Sequence, residues 1–251
     1  MIRIENISKR FRRLQALDKI NVEFHKGQVI SLIGPNGSGK TTLIKCILGM
    51  VRADSGRIAV NNEYIGSDPH YKNDIGYMPQ IGRYPDNMKV GQLFDMLKNI
   101  RVQSIDRQDE ELIRQLKLAA IFEKPMRTLS GGTRQKVSAA IAFLFDPGIL
   151  ILDEPTAGLD PLSSEILKDK INKEKKKGKL ILITSHILSD LEDLTTEIMY
   201  MQEGKMEFIK DIQTIREETG ELRLGRAIAK IMKGESMSTE WISRVLNPDK
   251  K

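Results

Sequence analysis

The residues Gly34-Pro35-Asn36-Gly37-Ser38-Gly39-Lys40-Thr41 follow the spacing G-x-x-x-x-G-K-[ST]. Glycines at those places let the backbone turn tightly enough to aim several N–H groups at one anion. A helix that starts there presents its positive end to the same anion. Lys40 then reaches the outer phosphates of a nucleotide as a point charge, and the Thr41 hydroxyl is placed to ligate Mg²⁺. A second pair completes the chemistry: Asp153-Glu154 follows four apolar residues at 149–152. A carboxylate at the end of a buried strand can hold Mg²⁺ through water, the role expected of Asp153. Glu154 stands one position on and is placed to take a proton from an attacking water. The duller readings are a glycine-rich turn and a solvated acidic turn. The setting disfavours both, because a buried run precedes the glycines, an apolar helical run follows them, and Pro155-Thr156 follows the acids.

These residues need elements to position them. Residues 28–33 are nearly all apolar and read as a buried strand of a parallel sheet, as do 149–152 and 180–184. Residues 2–4, 20–24 and 58–60 read as shorter strands, the last followed by an Asn61-Asn62 turn. Val90, Leu93, Phe94, Leu97 and Ile100 fall on one helical stripe, and Leu112, Ile113 and Leu116 on another, so 83–130 reads as a mostly helical insertion. Val137, Ala140, Ile141 and Leu144 mark a helix expected to begin near Gln135. Leu162, Ile166 and Ile171 mark the next, which ends in Lys173-Glu174-Lys175-Lys176-Lys177-Gly178. The lysines complement the negative end of that helix and Gly178 caps it, a better reading than a nucleic-acid patch. Two short amphipathic helices, around Leu224-Ala227-Ile228-Ile231 and Trp241-Ile242-Val245-Leu246, read as an appended tail. Strands alternating with helices predict an α/β fold.

Composition sets the remaining bounds. The chain has 251 residues, 40% hydrophobic and 29% charged, which excludes disorder throughout. A net charge of +6 fits a solvated basic surface, and nucleic acid is not an expected partner. Cys46 is the single cysteine, so an intramolecular disulfide and a cysteine zinc site are excluded, and its apolar neighbours predict a buried thiol. No apolar run reaches the roughly 18–20 residues of a membrane helix, and the first residues carry no signal-peptide core. The expectation is a cytoplasmic protein, with any spanning done by another chain.

With five further segments, the chain resembles the ATP-binding-cassette (ABC) family. Leu129-Ser130-Gly131-Gly132-Thr133-Arg134-Gln135-Lys136 is similar to its signature motif, Gln80 in Met78-Pro79-Gln80 to its Q-loop glutamine, and Ala157-Gly158-Leu159-Asp160 to its D-loop. His186 resembles the switch histidine, and Phe11 the aromatic that stacks on adenine. Alone, each has an ordinary reading as a turn, a loop histidine or a core aromatic; their shared order raises them. Thr133 stands where glutamine is commonest and Phe11 where tyrosine is more frequent, yet the glycine amides and the ring face are kept. Separately from the resemblance, Ser130 with two glycines opens a helix and so forms a second anion-binding end.

The resemblance spans residues 1–210 and implies an α/β P-loop NTPase (RecA-like) core, an antiparallel β subdomain and a helical subdomain at 83–130, with 211–251 as a short helical tail. It implies ATP and Mg²⁺ as cofactors. Nucleotide contacts would come from Phe11, Gly34, Pro35, Asn36, Gly37, Ser38, Gly39, Lys40, Thr41, Thr42 and Asp160, and from Ser130, Gly131 and Gly132 of a second copy. Metal contacts would come from Thr41, Gln80 and Asp153, and catalytic roles would fall to Lys40, Gln80, Glu154 and His186. The implied protein is an ATPase subunit, peripheral on the inner face of the cell membrane, that closes as a head-to-tail homodimer on ATP and powers a separate integral membrane permease. The run 156–161 and the short tail resemble ATPases of ABC-2-type permeases. Tyr77-Met78-Pro79-Gln80 and the signature segment are similar to Nos-type copper-processing ATPases of nitrous oxide reductase maturation, which implies a periplasmic copper-handling partner reached through the permease. The chain itself offers no copper site, since Cys46 stands alone and the three histidines are dispersed. The alternative is a soluble ABC ATPase that drives protein assembly or remodelling without a permease; a sensor that binds ATP without turnover is disfavoured by Glu154.

Overall fold

A computed structural model describes residues 1–66, 68–101, 108–185 and 192–232. Its centre is a six-stranded sheet of β3 (Val29–Ile33), β6 (Ile75–Met78), β7 (Ile149–Asp153), β8 (Leu180–Thr184), β9 (Glu197–Gln202) and β10 (Lys205–Asp211), in the order β10-β9-β3-β8-β7-β6. All neighbours are parallel except β9 and β10, which form an antiparallel pair. Every residue of β3, β7 and β8 is buried, as expected of parallel strands covered on both faces. A second, four-stranded antiparallel sheet pairs β1 (Ile2–Phe11) with β2 (Leu14–Phe24) and β4 (Ser55–Val60), and β4 with β5 (Glu63–Tyr64). Asn61 and Asn62, with φ of 51° and 71°, make the two-residue turn between β4 and β5.

Helix α1 (Lys40–Ile47) lies between the sheets, and Leu43, Ile44, Cys46 and Ile47 join Ile30, Leu32, Leu180 and Leu182 in one core. Cys46 is buried, which raises its thiol pKa through loss of solvation. The helical insertion holds α2 (Val90–Ile100), α3 (Glu111–Gln115) and two 3-10 turns at Leu118–Ile121 and Met126–Thr128. It packs on α4 (Gly131–Phe143) in a second core with Phe94, Leu112, Leu118 and Phe143. Helix α4 begins at Gly131, earlier than the expected Gln135, because Ser130 caps it and both glycines form its first turn.

Helix α5 (Pro161–Lys176) starts with Asp160 as N-cap and proline in its first turn. Leu162 is 72% exposed, so the buried face is set by Leu167 and Ile171 instead. Gly178, at φ 77°, follows the C-cap Lys177, as the sequence predicts. The lysines do more than complement the helix end. Lys170 pairs with Asp109, Glu111 and Glu174, while Lys177 and Lys179 also reach Glu174 and Asp146. Burial would raise the Glu174 carboxyl, but hydrogen bonds from Lys179, Lys170 and Lys177 hold it at about 2.

The hairpin of β9 and β10 turns through Glu203 and Gly204, both at positive φ. Helices α6 (Ile212–Thr219) and α7 (Leu224–Met232) pack Ile215, Leu224, Ala227 and Ile228 against Ile33, Ile198 and Tyr200 of the sheet. The helix expected around Trp241 lies outside the described residues. No helix among the described residues is long and apolar enough to cross a membrane.

Candidate functional site

The loop of residues 34–39 joins β3 to α1, and two of its glycines, Gly34 and Gly39, are fixed by close backbone approach. At Gly34 (φ 147°) a Cβ would lie 2.0 Å from the Met201 carbonyl oxygen, and at Gly39 (φ 105°) one would lie 2.5 Å from that of Ala16. No side chain caps the start of α1, so its first amides are left for an anion. Lys40 is only 8% exposed. Its Nζ donates to the carbonyls of Gly34 (2.8 Å) and Pro35 (3.0 Å) and to Ser38 Oγ (3.3 Å). Burial lowers its pKa, opposed by the charges of Glu154 and Asp153. Pro35, Asn36, Gly37 and Thr41 are exposed and Thr42 half-buried.

Strand β7 carries Asp153 at its end, 6% exposed, opposite Thr184 of β8 in register. The Thr184 hydroxyl donates to Asp153 Oδ1. Glu154 follows with φ 51°, in the left-handed region. Gln80, exposed just beyond β6, donates from Nε2 to Glu154 Oε2 at 2.9 Å. Tyr77, two residues into β6, is pushed up to about 12 by burial and the Asp153 charge. Phe11, 45% exposed at the end of β1, and Leu14 close the far side. Together Phe11, Asn36 to Thr42, Gln80, Asp153, Glu154 and Thr184 line one cleft of about 410 Å³. Its oxygen donors, the Thr41 hydroxyl, the Asp153 carboxylate and the Gln80 amide, suit Mg²⁺, which takes few protein ligands and keeps water and phosphate oxygens.

The signature segment forms a separate place. Ser130 Oγ accepts the Thr133 N–H at 3.2 Å, Gly131 faces open space, and a Cβ on Gly132 would lie 2.6 Å from the Gly158 carbonyl. Gln80, Gly131, Gly132, Gln135 and Gly158 line a smaller cleft of about 350 Å³. Gln80 thus borders both clefts. Asp160, grouped in the sequence with nucleotide contacts, caps α5 through Ser163 and pairs with Lys136 of α4 at 2.7 Å. The Lys136 hydrogen bond holds its carboxyl well below the usual range. Within one chain, Ser130, Gly131, Gly132 and Asp160 stand apart from the cleft that Lys40 lines. His186 lies outside the described residues. Sequence reasoning missed Thr184, although two parallel strands ending at Asp153 and Thr184 were both legible.

Residues 17–157 match the model of a family described as ABC transporter. The lantibiotic transport ATP-binding protein SrtF of Streptococcus pyogenes is 35% identical over 82% of this chain and 89% of its own length. The phospholipid-transporting ATPase ABCA3 of Homo sapiens is 33% identical over 86% of this chain, which spans only 13% of that protein. The Nod factor export ATP-binding protein I of Ralstonia nicotianae is 29% identical over 82% of this chain, which spans 65% of it. Among solved structures, an ATP-binding subunit of an ABC transporter superposes with a TM-score of 0.84 at 26% identity, covering 92% of this chain and 99% of that one. A dimeric ATP-binding cassette in a post-hydrolysis state with ADP and Pi shares the fold, with a TM-score of 0.73 at 21% identity over 84% of this chain and 99% of its own.

Proposed function

The chain belongs to the ABC transporter family and has the α/β P-loop NTPase fold of its cassettes, and we propose that it is an ATP-hydrolysing subunit that powers a separate membrane permease. The observation that carries this reading is the single cleft in which Lys40, Gln80, Asp153 and Glu154 meet at the uncapped start of α1. ATP sits with its phosphates on the amides of residues 37–42 and its base against the Phe11 ring. Lys40 exchanges its loop carbonyls for phosphate oxygens. Thr41, Asp153 and Gln80 would hold Mg²⁺, which neutralises charge building on the phosphates. Glu154 takes a proton from water as that water's oxygen bonds to the γ-phosphorus. The bond from the γ-phosphorus to the bridging oxygen breaks, and ADP and phosphate leave. His186 is assigned to the same step by its motif.

Ser130, Gly131, Gly132 and Asp160 serve the nucleotide of a second copy, so that ATP closes a head-to-tail homodimer with two-fold symmetry. The dimeric cassette among the structural relatives supports this arrangement. The transport named for SrtF and the export named for the Nod factor protein support coupling to a permease. A narrower reading, an ABC-2-type partner and a Nos-type role in copper handling, rests on residues 77–80 and 129–136. Co-purification of the tagged chain from native membranes tests the function. A polytopic permease at comparable stoichiometry is the expected result, and a periplasmic copper-handling protein with it would carry the narrower reading. Recovery of soluble partners alone would overturn coupling to transport and favour an assembly ATPase.

A further inference from the structure

We propose that Thr184 is a positioning residue of the ATPase site, whose hydroxyl sets the Asp153 carboxylate for Mg²⁺ and holds the backbone of Glu154; the inference rests on the ATPase reading above. Thr184 ends β8 at 2% exposure, directly opposite Asp153 in the parallel pairing. Its Oγ1 donates to Asp153 Oδ1. The same Oγ1 accepts the Glu154 N–H at 3.1 Å, and the Thr184 carbonyl oxygen accepts it at 3.1 Å as well. The direction of each bond is forced, because an ionised carboxylate only accepts and an N–H only donates. One hydroxyl, with one hydrogen and two lone pairs, therefore serves both acids at once.

The residue type carries information. Four apolar residues precede Thr184 in the strand, all buried. Valine would fill the same space and favour a strand equally. A buried hydroxyl there is explained by what it bonds. Glu154 also holds a left-handed φ of 51°, and its N–H, accepted by both oxygens of Thr184, ties that backbone to the end of β8. Tying Oδ1 stops the Asp153 carboxylate from rotating, and a metal held by that carboxylate is sensitive to its direction.

The test uses the full chain with Thr184→Ser, Thr184→Ala and Thr184→Val. Equilibrium binding of a fluorescent, non-hydrolysable ATP analogue is titrated with Mg²⁺ and repeated in EDTA, with thermal unfolding recorded in parallel. Thr184→Ser is expected to keep the native Mg²⁺ midpoint. Thr184→Ala and Thr184→Val are expected to raise it about 10–100-fold, a shift well beyond any change in affinity measured in EDTA. Should the valine variant fail to fold, the serine and alanine pair gives the same contrast, since they differ by the hydroxyl alone. Equal Mg²⁺ midpoints for serine and alanine, even with lowered thermal stability, would overturn the proposal and leave Thr184 a packing residue. A native chain without Mg²⁺-dependent binding would overturn the ATPase reading itself, an outcome distinct from equal midpoints in a native chain that does bind.

Discussion

Helices α1 and α4 both open on glycines, and their first turns are built for different partners. The start of α1 carries no side-chain cap and has Lys40 and Asp153 within one cleft. The start of α4 is capped by Ser130, while Arg134 donates to the Met126 carbonyl and Lys136 pairs with Asp160. An anion at α1 meets amides and a buried ammonium, with the Asp153 carboxylate in the same cleft. One at α4 meets amides and a hydroxyl, and a helix end by itself contributes only about 0.3–1 kcal/mol. The first end is suited to gripping a nucleotide, the second to completing a contact that another copy delivers.

The largest effect that sharpens this contrast comes from Glu154→Gln. Phosphate release should fall about 10²–10⁴-fold while ATP binding is retained, so that ATP now holds a dimer on a sizing column. A variant that binds ATP yet stays monomeric would break the division of labour between the two ends. Next in size, Lys170→Met strips a buried cation from Asp109, Glu111 and Glu174 and should lower stability by about 3–5 kcal/mol in urea unfolding. Helix α5 runs from that network to Asp160, so the same variant should weaken ATP-driven dimerisation more than ATP binding. The network has a pH signature too. Glu174 has its pKa lowered from 4.5 to about 2 in the fold, so its contribution is complete above about 4.5 and is lost as pH falls through about 2. Acid unfolding of the native chain should show this loss, and Glu174→Gln should flatten it. Lys40→Ala should weaken ATP binding about 10–100-fold by calorimetry, the worth of a charge-assisted hydrogen bond of about 1.5–3 kcal/mol. The smallest change is Ser130→Ala, which removes a cap worth about 1 kcal/mol. It should leave ATP binding by the monomer untouched and loosen the dimer.

The phosphate loop was legible because part of its constraint is local: Gly34, Gly37 and Gly39 all take positive φ within one short segment. Strands β3, β7 and β8 were legible for a related reason, since burial on both faces writes an unbroken apolar run. Asp160 was harder. Its identity fits a nucleotide contact and a helix cap equally, and only the packing of α4 beside α5 shows Lys136 within reach. Leu162 misled because an apolar residue early in a helix matches the buried stripe by spacing, yet it is exposed. The hairpin of β9 and β10 hid behind Glu203-Gly204 and an alternation too mixed to stand out. Thr184 escaped because its meaning lies in a neighbour across the sheet, a relation that no single segment contains.

Cys46 gives the molecule a practical property. It is the chain's single cysteine, 2% exposed, and burial raises its thiol pKa, so it is a poor nucleophile toward reagents in solution. A cysteine introduced at an exposed position such as Leu162 would then be the one thiol that a maleimide dye or spin label finds. Distances between two copies could be read on an otherwise native protein, with no background label to subtract and no native residue in the core replaced.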